Sequence, residues 1–194
     1  MTKTIAVRRA AMVVAAVLIS GPRAAADSEA PRLTIQLQLL NDANVPADIL
    51  ESARQEVSAI YARAGIELIR HDTPAAAPSV LRFAAKIVPH SLGYGHDKPH
   101  VMGAALGETR GTIVYVFFGR VERFARSQRV LNSTMLAHVI AHEIGHLLLP
   151  KGWHSERGLM RGKWDRAQVD NAMRGKLTFT PDEIRTIRAD ALLR

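Results

Sequence analysis

The sequence predicts a single α+β domain built on a twisted mixed sheet. Three observations carry this expectation. Strand-like and helical stretches alternate through the first half, one helix around residue 140 is apolar nearly all round, and the C-terminal part is helical in pattern. The domain is expected to span residues 27–194, long enough to enclose its own core.

The elements follow in order. Residues 33–40 (LTIQLQLL) alternate well enough for a strand. Pro46 and Asp48 open a helix running to about residue 64, because Ile49, Ala53, Val57, Ile60 and Ala64 recur at spacings of three and four. Gly65 ends it. Residues 66–69 form a short strand, 72–79 a loop rich in Pro and Ala, and 81–88 a further strand. Residues 90–111 are rich in Gly, His and Pro and read as a long loop, with a short edge strand at 101–106. Residues 112–118 (TIVYVFF) are the clearest strand, expected at the buried centre of the sheet. Residues 121–129 are helical, and Ser133 is expected to cap the helix that follows. Pro150 and Gly152 stop that helix, and 151–164 form a loop. A helix over 165–174 ends at Gly175. Thr180-Pro181-Asp182-Glu183 is a capping box that starts a last amphipathic helix to residue 193.

Residues 1–26 stand apart. Lys3, Arg8 and Arg9 precede a short apolar stretch over 10–19, Gly21-Pro22 breaks it, and Ala24-Ala25-Ala26 offers a cleavage site. This is the outline of a secretory signal peptide, and the apolar stretch falls short of the roughly 20 residues a membrane span requires. An uncleaved anchor is the competing reading. Export to a periplasm or the extracellular medium is therefore expected, with no membrane span after cleavage. Losing Lys3, Arg8, Arg9 and Arg23 lowers the formal charge from +8 to +4. Arg120, Arg123, Arg126 and Arg129 repeat every third residue with little aromatic interleaving, the pattern of a solvated face rather than a nucleic-acid surface. The chain has no cysteine, so disulfides do not stabilise it.

The chemistry concentrates in one run. Within MLAHVIAHEIGHLLL, residues 135–149, lies His142-Glu143-Ile144-Gly145-His146. A helix apolar all round is buried, and burying a glutamate and several histidines in it costs free energy unless something compensates. A bound cation is the simplest compensation. Residues four apart share a helix face, so His142 and His146 can address one ion. Glu143 lies about 100° round the axis, poorly placed as a ligand and well placed to touch a water beside the ion. That is the physical content of the H-E-x-x-H signature. Catalytic zinc usually has three protein ligands. Pro150 ends the helix and Gly152 permits a tight return, which makes His154 the natural third ligand.

The segment HEIGHLLLPKGWHSERGLM, residues 142–160, resembles the metzincin zinc endopeptidases, matrixin-like ones in particular. His142, His146 and His154 match the three zinc ligands, Glu143 the catalytic base, and Met160 the turn methionine beneath the metal. His154-Ser155 and Leu159-Met160 match the His-Ser and Leu-Met elements near that site. The spacing diverges: seven residues instead of five separate the second and third histidines, position 149 is Leu rather than Gly, and the methionine follows sooner. The resemblance implies a metzincin-like zincin domain with an active-site helix and C-terminal helices. It also implies Zn²⁺ as cofactor and a peptide or protein substrate. The implied reaction is peptide-bond hydrolysis, in which zinc lowers the pKa of its water to about 7 and Glu143 takes the proton. The substrate would lie extended along the 101–106 strand.

Other candidates have plainer readings. His138 is expected in the core or behind the ligands. His90, His96 and His100 belong to the loop, where a structural ion is a minority expectation. Trp153 and Trp164 are expected to pack the loop that carries His154. The competing function is an exported zinc-binding protein without proteolytic activity, against which the intact Glu143 argues. A weaker third is a basic exported protein that binds anionic surfaces.

Overall fold

The structure, a computed structural model, describes residues 33–74, 80–91, 98, 100–105 and 112–191. The expected signal segment, His96, and parts of the 72–79 and 90–111 loops lie outside the described residues. The elements are β1 (Leu33–Asn41), α1 (Ala47–Arg63), β2 (Ile66–Arg70), β3 (Val80–Val88), β4 (Gly103–Ala105), β5 (Ile113–Phe117), α2 (Phe118–Gln128), α3 (Asn132–Leu148), α4 (Arg166–Met173) and α5 (Pro181–Ala191). This is the expected mixture of α and β. No helix among the described residues is long and apolar enough to cross a membrane.

The strands form one five-stranded sheet in the order β2-β1-β3-β5-β4. β2, β1, β3 and β5 run parallel, and β4 pairs antiparallel with β5. The sheet is therefore mixed, with its odd strand at one edge. β3 takes the middle position expected for β5. β5 sits one place from the edge, since its outer side is covered by only the three residues of β4. The edge strand expected over 101–106 exists in that shorter form.

Strand alternation sorts the side chains by face. The register aligns Leu37 with Phe83, Ala85 with Val114, and Ile87 with Val116, all buried in the core. The next residues along, Gln36 opposite Arg82 and Leu40 opposite Lys86, point to the other face. There Arg82 Nε donates to Gln36 Oε1 at 2.9 Å, while Gln36 Nε2 donates to the carbonyls of His71 and Thr73, each at 3.0 Å. One face thus receives the helices and the other is held by polar pairs.

α1 connects two parallel neighbours, and Gly65, at φ 69°, makes the left-handed turn from it into β2. A Cβ at Gly65 would collide with the guanidinium of Arg188, which donates from α5 to the Ala64 carbonyl at 3.1 Å. α3 lies at the centre of the helical layer. It contacts α1, α2, α4 and α5 as well as β3, β4 and β5, which is why its sequence is apolar on every side. Ser133 does not cap it. α2 closes with Arg129 in the left-handed region at φ 57°, and the chain re-enters helix at Asn132, so Ser133 falls inside the first turn with Leu131 at the cap position. The expected capping box at Thr180 forms: the Glu183 backbone N–H donates to Thr180 Oγ1 at 3.3 Å, and the Thr180 N–H donates to Glu183 Oε2 at 2.7 Å. A second box caps α4, where Asp165 receives the N–H groups of Ala167 and Gln168.

Tyr61 ties α1 to α3. It is fully buried, stacks edge-on against Phe179 at 5.2 Å, and donates its hydroxyl to the Ala141 carbonyl at 3.0 Å, one residue before His142. Tyr61→Phe is expected to lower unfolding stability by about 1 kcal/mol in a urea titration. Tyr61→Ala is expected to lower it by about 3–5 kcal/mol through the cavity it leaves. Wild-type midpoints for both variants would contradict this packing.

Candidate metal centre

The centre begins on α3. His142 and His146 occupy successive turns of one face, and their Nε2 atoms lie 3.1 Å apart. His142 Nδ1–H donates to the Leu159 carbonyl at 2.8 Å, which leaves the Nε2 lone pair directed toward His146. α3 ends at Leu148, and Pro150 follows. The Trp153 N–H donates back to the Pro150 carbonyl at 3.0 Å, and Gly152 takes φ 73°, a conformation a β-carbon disfavours. This return delivers His154 to the pair. The ligand atoms of His142, His146 and His154 all lie within 4.8 Å of one another.

Second contacts hold each part. The Ser155 N–H donates to the Met160 carbonyl at 3.0 Å, and Ser155 Oγ lies 2.6 Å from Glu183 Oε1, to which it donates. The same buried carboxylate that caps α5 therefore anchors the residue after His154. A Cβ on Gly162 would come within 3.2 Å of the His154 ring, so the loop passes close behind that imidazole. Met160 is fully buried, and a Cβ on Gly145 would collide with its Sδ. The glycine in the HEIGH run is thus the seat of that methionine. Trp164 donates its indole N–H to the Leu159 carbonyl at 3.3 Å and meets the His142 ring edge-on at 5.8 Å. It packs the loop, as expected.

The electrostatics follow from burial. Enclosure falls from His142 through His146 to His154. Burial pushes His142 down to about 4, assisted by His154, and His146 down to about 3, assisted by His142 and His154, and it lowers His154 as well. At neutral pH the three rings are uncharged bases with converging lone pairs. Two nitrogens bound to one ion at about 2.1 Å in a tetrahedron lie about 3.4 Å apart, close to the separation of the His142 and His146 nitrogens, so these donors suit zinc. Imidazole nitrogen also suits that borderline-soft ion.

Glu143 is buried beside the cluster. Its carboxyl receives the Ala105 N–H from β4, and a Cβ on Gly103 would lie 2.6 Å from its Oε1. Burial pushes it up to about 8. Glu143 and the histidines open together onto a cleft of about 1160 Å³, bounded by β4 on one side and the His154 loop on the other. The arrangement can hold a divalent cation and places a buried carboxyl next to it.

His138 stays outside. It is fully buried, donates from Nδ1 to the Thr134 carbonyl at 2.8 Å, and lies 3.6 Å from Glu56. His100 lines the cleft without joining the ligands. Among the described residues the three histidines are the one group of His, Cys, Asp or Glu spaced to hold a metal. The contributions of Gly103 and Ala105 have no sequence signature, and the bonds of Ser155 to Glu183 and of Leu159 to His142 appear only in the tertiary fold. Glu183 is visible as a capping residue, but its second oxygen finds Ser155 only through the tertiary fold.

His154→Ala is expected to weaken zinc binding by about 100-fold in competition with a chromophoric chelator. Ser155→Ala is expected to weaken it by about 10-fold, because it frees the loop but leaves the ligand. Unchanged affinity in His154→Ala would move the third ligand elsewhere.

No protein-family model matches the chain, and no curated protein sequence matches it. Solved structures do. The fold is similar to that of a zinc-dependent peptidase from Methanocorpusculum labreanum, with a TM-score of 0.52, 17% identity, and coverage of 79% of this chain and 99% of that one. The solution structure of TM1509 from Thermotoga maritima aligns at a TM-score of 0.35 and 12% identity over 80% of this chain and 90% of that one. At such identities the first of these likenesses establishes a shared fold.

Proposed function

We propose that this chain is an exported, zinc-dependent endopeptidase of metzincin-like design, with Glu143 as general base. The observation that carries the proposal is the convergence of His142, His146 and His154 in one cleft with a buried carboxylate. The fold shared with a zinc-dependent peptidase is consistent with it. The buried Met160, seated on Gly145 behind the ligand helix, supports the methionine-turn arrangement. Export rests on the character of residues 1–26.

Zinc held by the three imidazoles would supply Lewis-acid polarisation of a carbonyl and a water acidic enough to ionise near pH 7. The remaining work belongs to the chain. Glu143 takes a proton from the attacking water onto a carboxylate oxygen and returns it to the leaving amine nitrogen. Its buried setting raises its basicity, which suits both halves of that transfer. The Leu159 carbonyl keeps His142 in the tautomer that offers Nε2. β4, the sheet's last strand, offers its outer backbone edge to an extended peptide, and Gly103 brings that backbone close to Glu143.

A site retained only to bind zinc would have no use for a carboxylic acid buried at the cleft floor. Glu143→Gln is therefore expected to keep zinc at wild-type stoichiometry while hydrolysis of a peptide library falls by about 10³-fold. Full activity in that variant would refute the role given to Glu143.

A further inference from the structure

Among the described residues the cleft lining carries more basic than acidic side chains. Lys98 and His100 lead into β4, Lys151 follows the end of α3, and Arg161 and Lys163 stand in the loop after Met160. Among the described residues its carboxyl groups are those of Glu143 and Asp190. Arg161 is already matched, to Asp165 at 2.5 Å and to Gln168. Lys98, Lys151 and Lys163 are each exposed and have no ion pair among the described residues, so their charge is free to face the cleft. Elsewhere Arg54, Arg70, Lys86, Arg166 and Arg185 each have a carboxylate partner, while Arg123, Arg126, Arg129, Arg157 and Lys176 are exposed without one among the described residues.

The three lysines come from three separate chain segments, so no shared helix face accounts for them. What they share is the rim of one cleft. We propose that this cleft selects acidic peptides, with Lys98, Lys151 and Lys163 receiving carboxylates on either side of the bond presented to the histidines. The proposal rests on the peptidase reading for the substrate being a peptide. Apolar lining from Val101, Met102, Leu149 and Trp164 excludes water and focuses the field of the rim charges. Lysine adds a flexible point charge without the fixed fork of arginine, which favours a graded preference over a single strict position. Single-stranded nucleic acid, the other polyanion, needs exposed rings for base stacking. Among the described residues the indole and phenyl rings of the cleft are Trp164, which is buried with its N–H engaged, and the partly buried Phe124.

The test uses the full chain carrying Glu143→Gln, loaded with zinc, and reads binding by fluorescence anisotropy. The probes are a Glu-rich peptide, its analogue with Gln for every Glu, and a single-stranded oligonucleotide of equal charge. The acidic peptide is expected to bind about 10-fold more tightly than its neutral analogue at low salt and to lose most of that advantage at high salt. Adding Lys151→Glu with Lys163→Glu is expected to abolish the preference, whereas Lys176→Glu, exposed and away from the cleft lining, is expected to retain it. Equal binding of the two peptides would overturn the proposal. So would an equal loss in the Lys176 variant, or tighter binding of the oligonucleotide. Wild-type hydrolysis is followed separately. An acidic preference in binding with neither peptide cleaved would refute the peptidase reading and leave the cleft's selectivity standing.

Discussion

Everything in this structure depends on the burial of ionisable groups along α3. The helix is covered by sheet on one side and by four helices on the others, so no charge it carries can be left in water. A histidine in that setting keeps its proton poorly, and a carboxyl keeps its proton well. His142 and His146 are thereby held as neutral donors, and Glu143 as a carboxyl that keeps its proton more readily than usual. The same enclosure that makes the residues expensive to bury makes them useful together, since a cation would compensate the donors and sit beside the carboxyl.

The return of the chain after Pro150 completes the arrangement, and the C-terminal helices hold that return in place. Glu183 is the hinge of this support. One carboxylate oxygen caps α5, the other receives Ser155, and the adjacent His154 reaches the ligand pair. Leu159 plays the matching part on the other side, where its carbonyl accepts both the His142 ring N–H and the Trp164 indole N–H. Local helix capping and ligand positioning are in this way one set of hydrogen bonds. Gly152, at φ 73°, makes the left-handed turn within the seven residues between His146 and His154.

Much of this was legible in the sequence because the periodicities are strong. Apolar spacing in residues 47–63 and alternation in 33–41 correspond to α1 and β1, and the Thr180 box opens α5 as expected. The three histidines were legible because helical spacing and a Pro-Gly return are local facts. The position of β5 was not, because apolar content reports burial and not sheet order. Ser133 misled for a similar reason: a good capping residue one step into the helix cannot be told from a cap until the end of α2 is known. The contact of Gly103 and Ala105 with Glu143 was invisible because it joins segments some forty residues apart across the edge of the sheet.

The central claim is that three imidazoles share one ion. Zinc K-edge X-ray absorption on the purified, zinc-loaded protein tests it most directly. The account predicts about one zinc per chain with three histidine nitrogens at about 2.0–2.1 Å and one further light-atom scatterer. A shell with two or fewer imidazoles, or a first shell dominated by carboxylate and water oxygens, would contradict it.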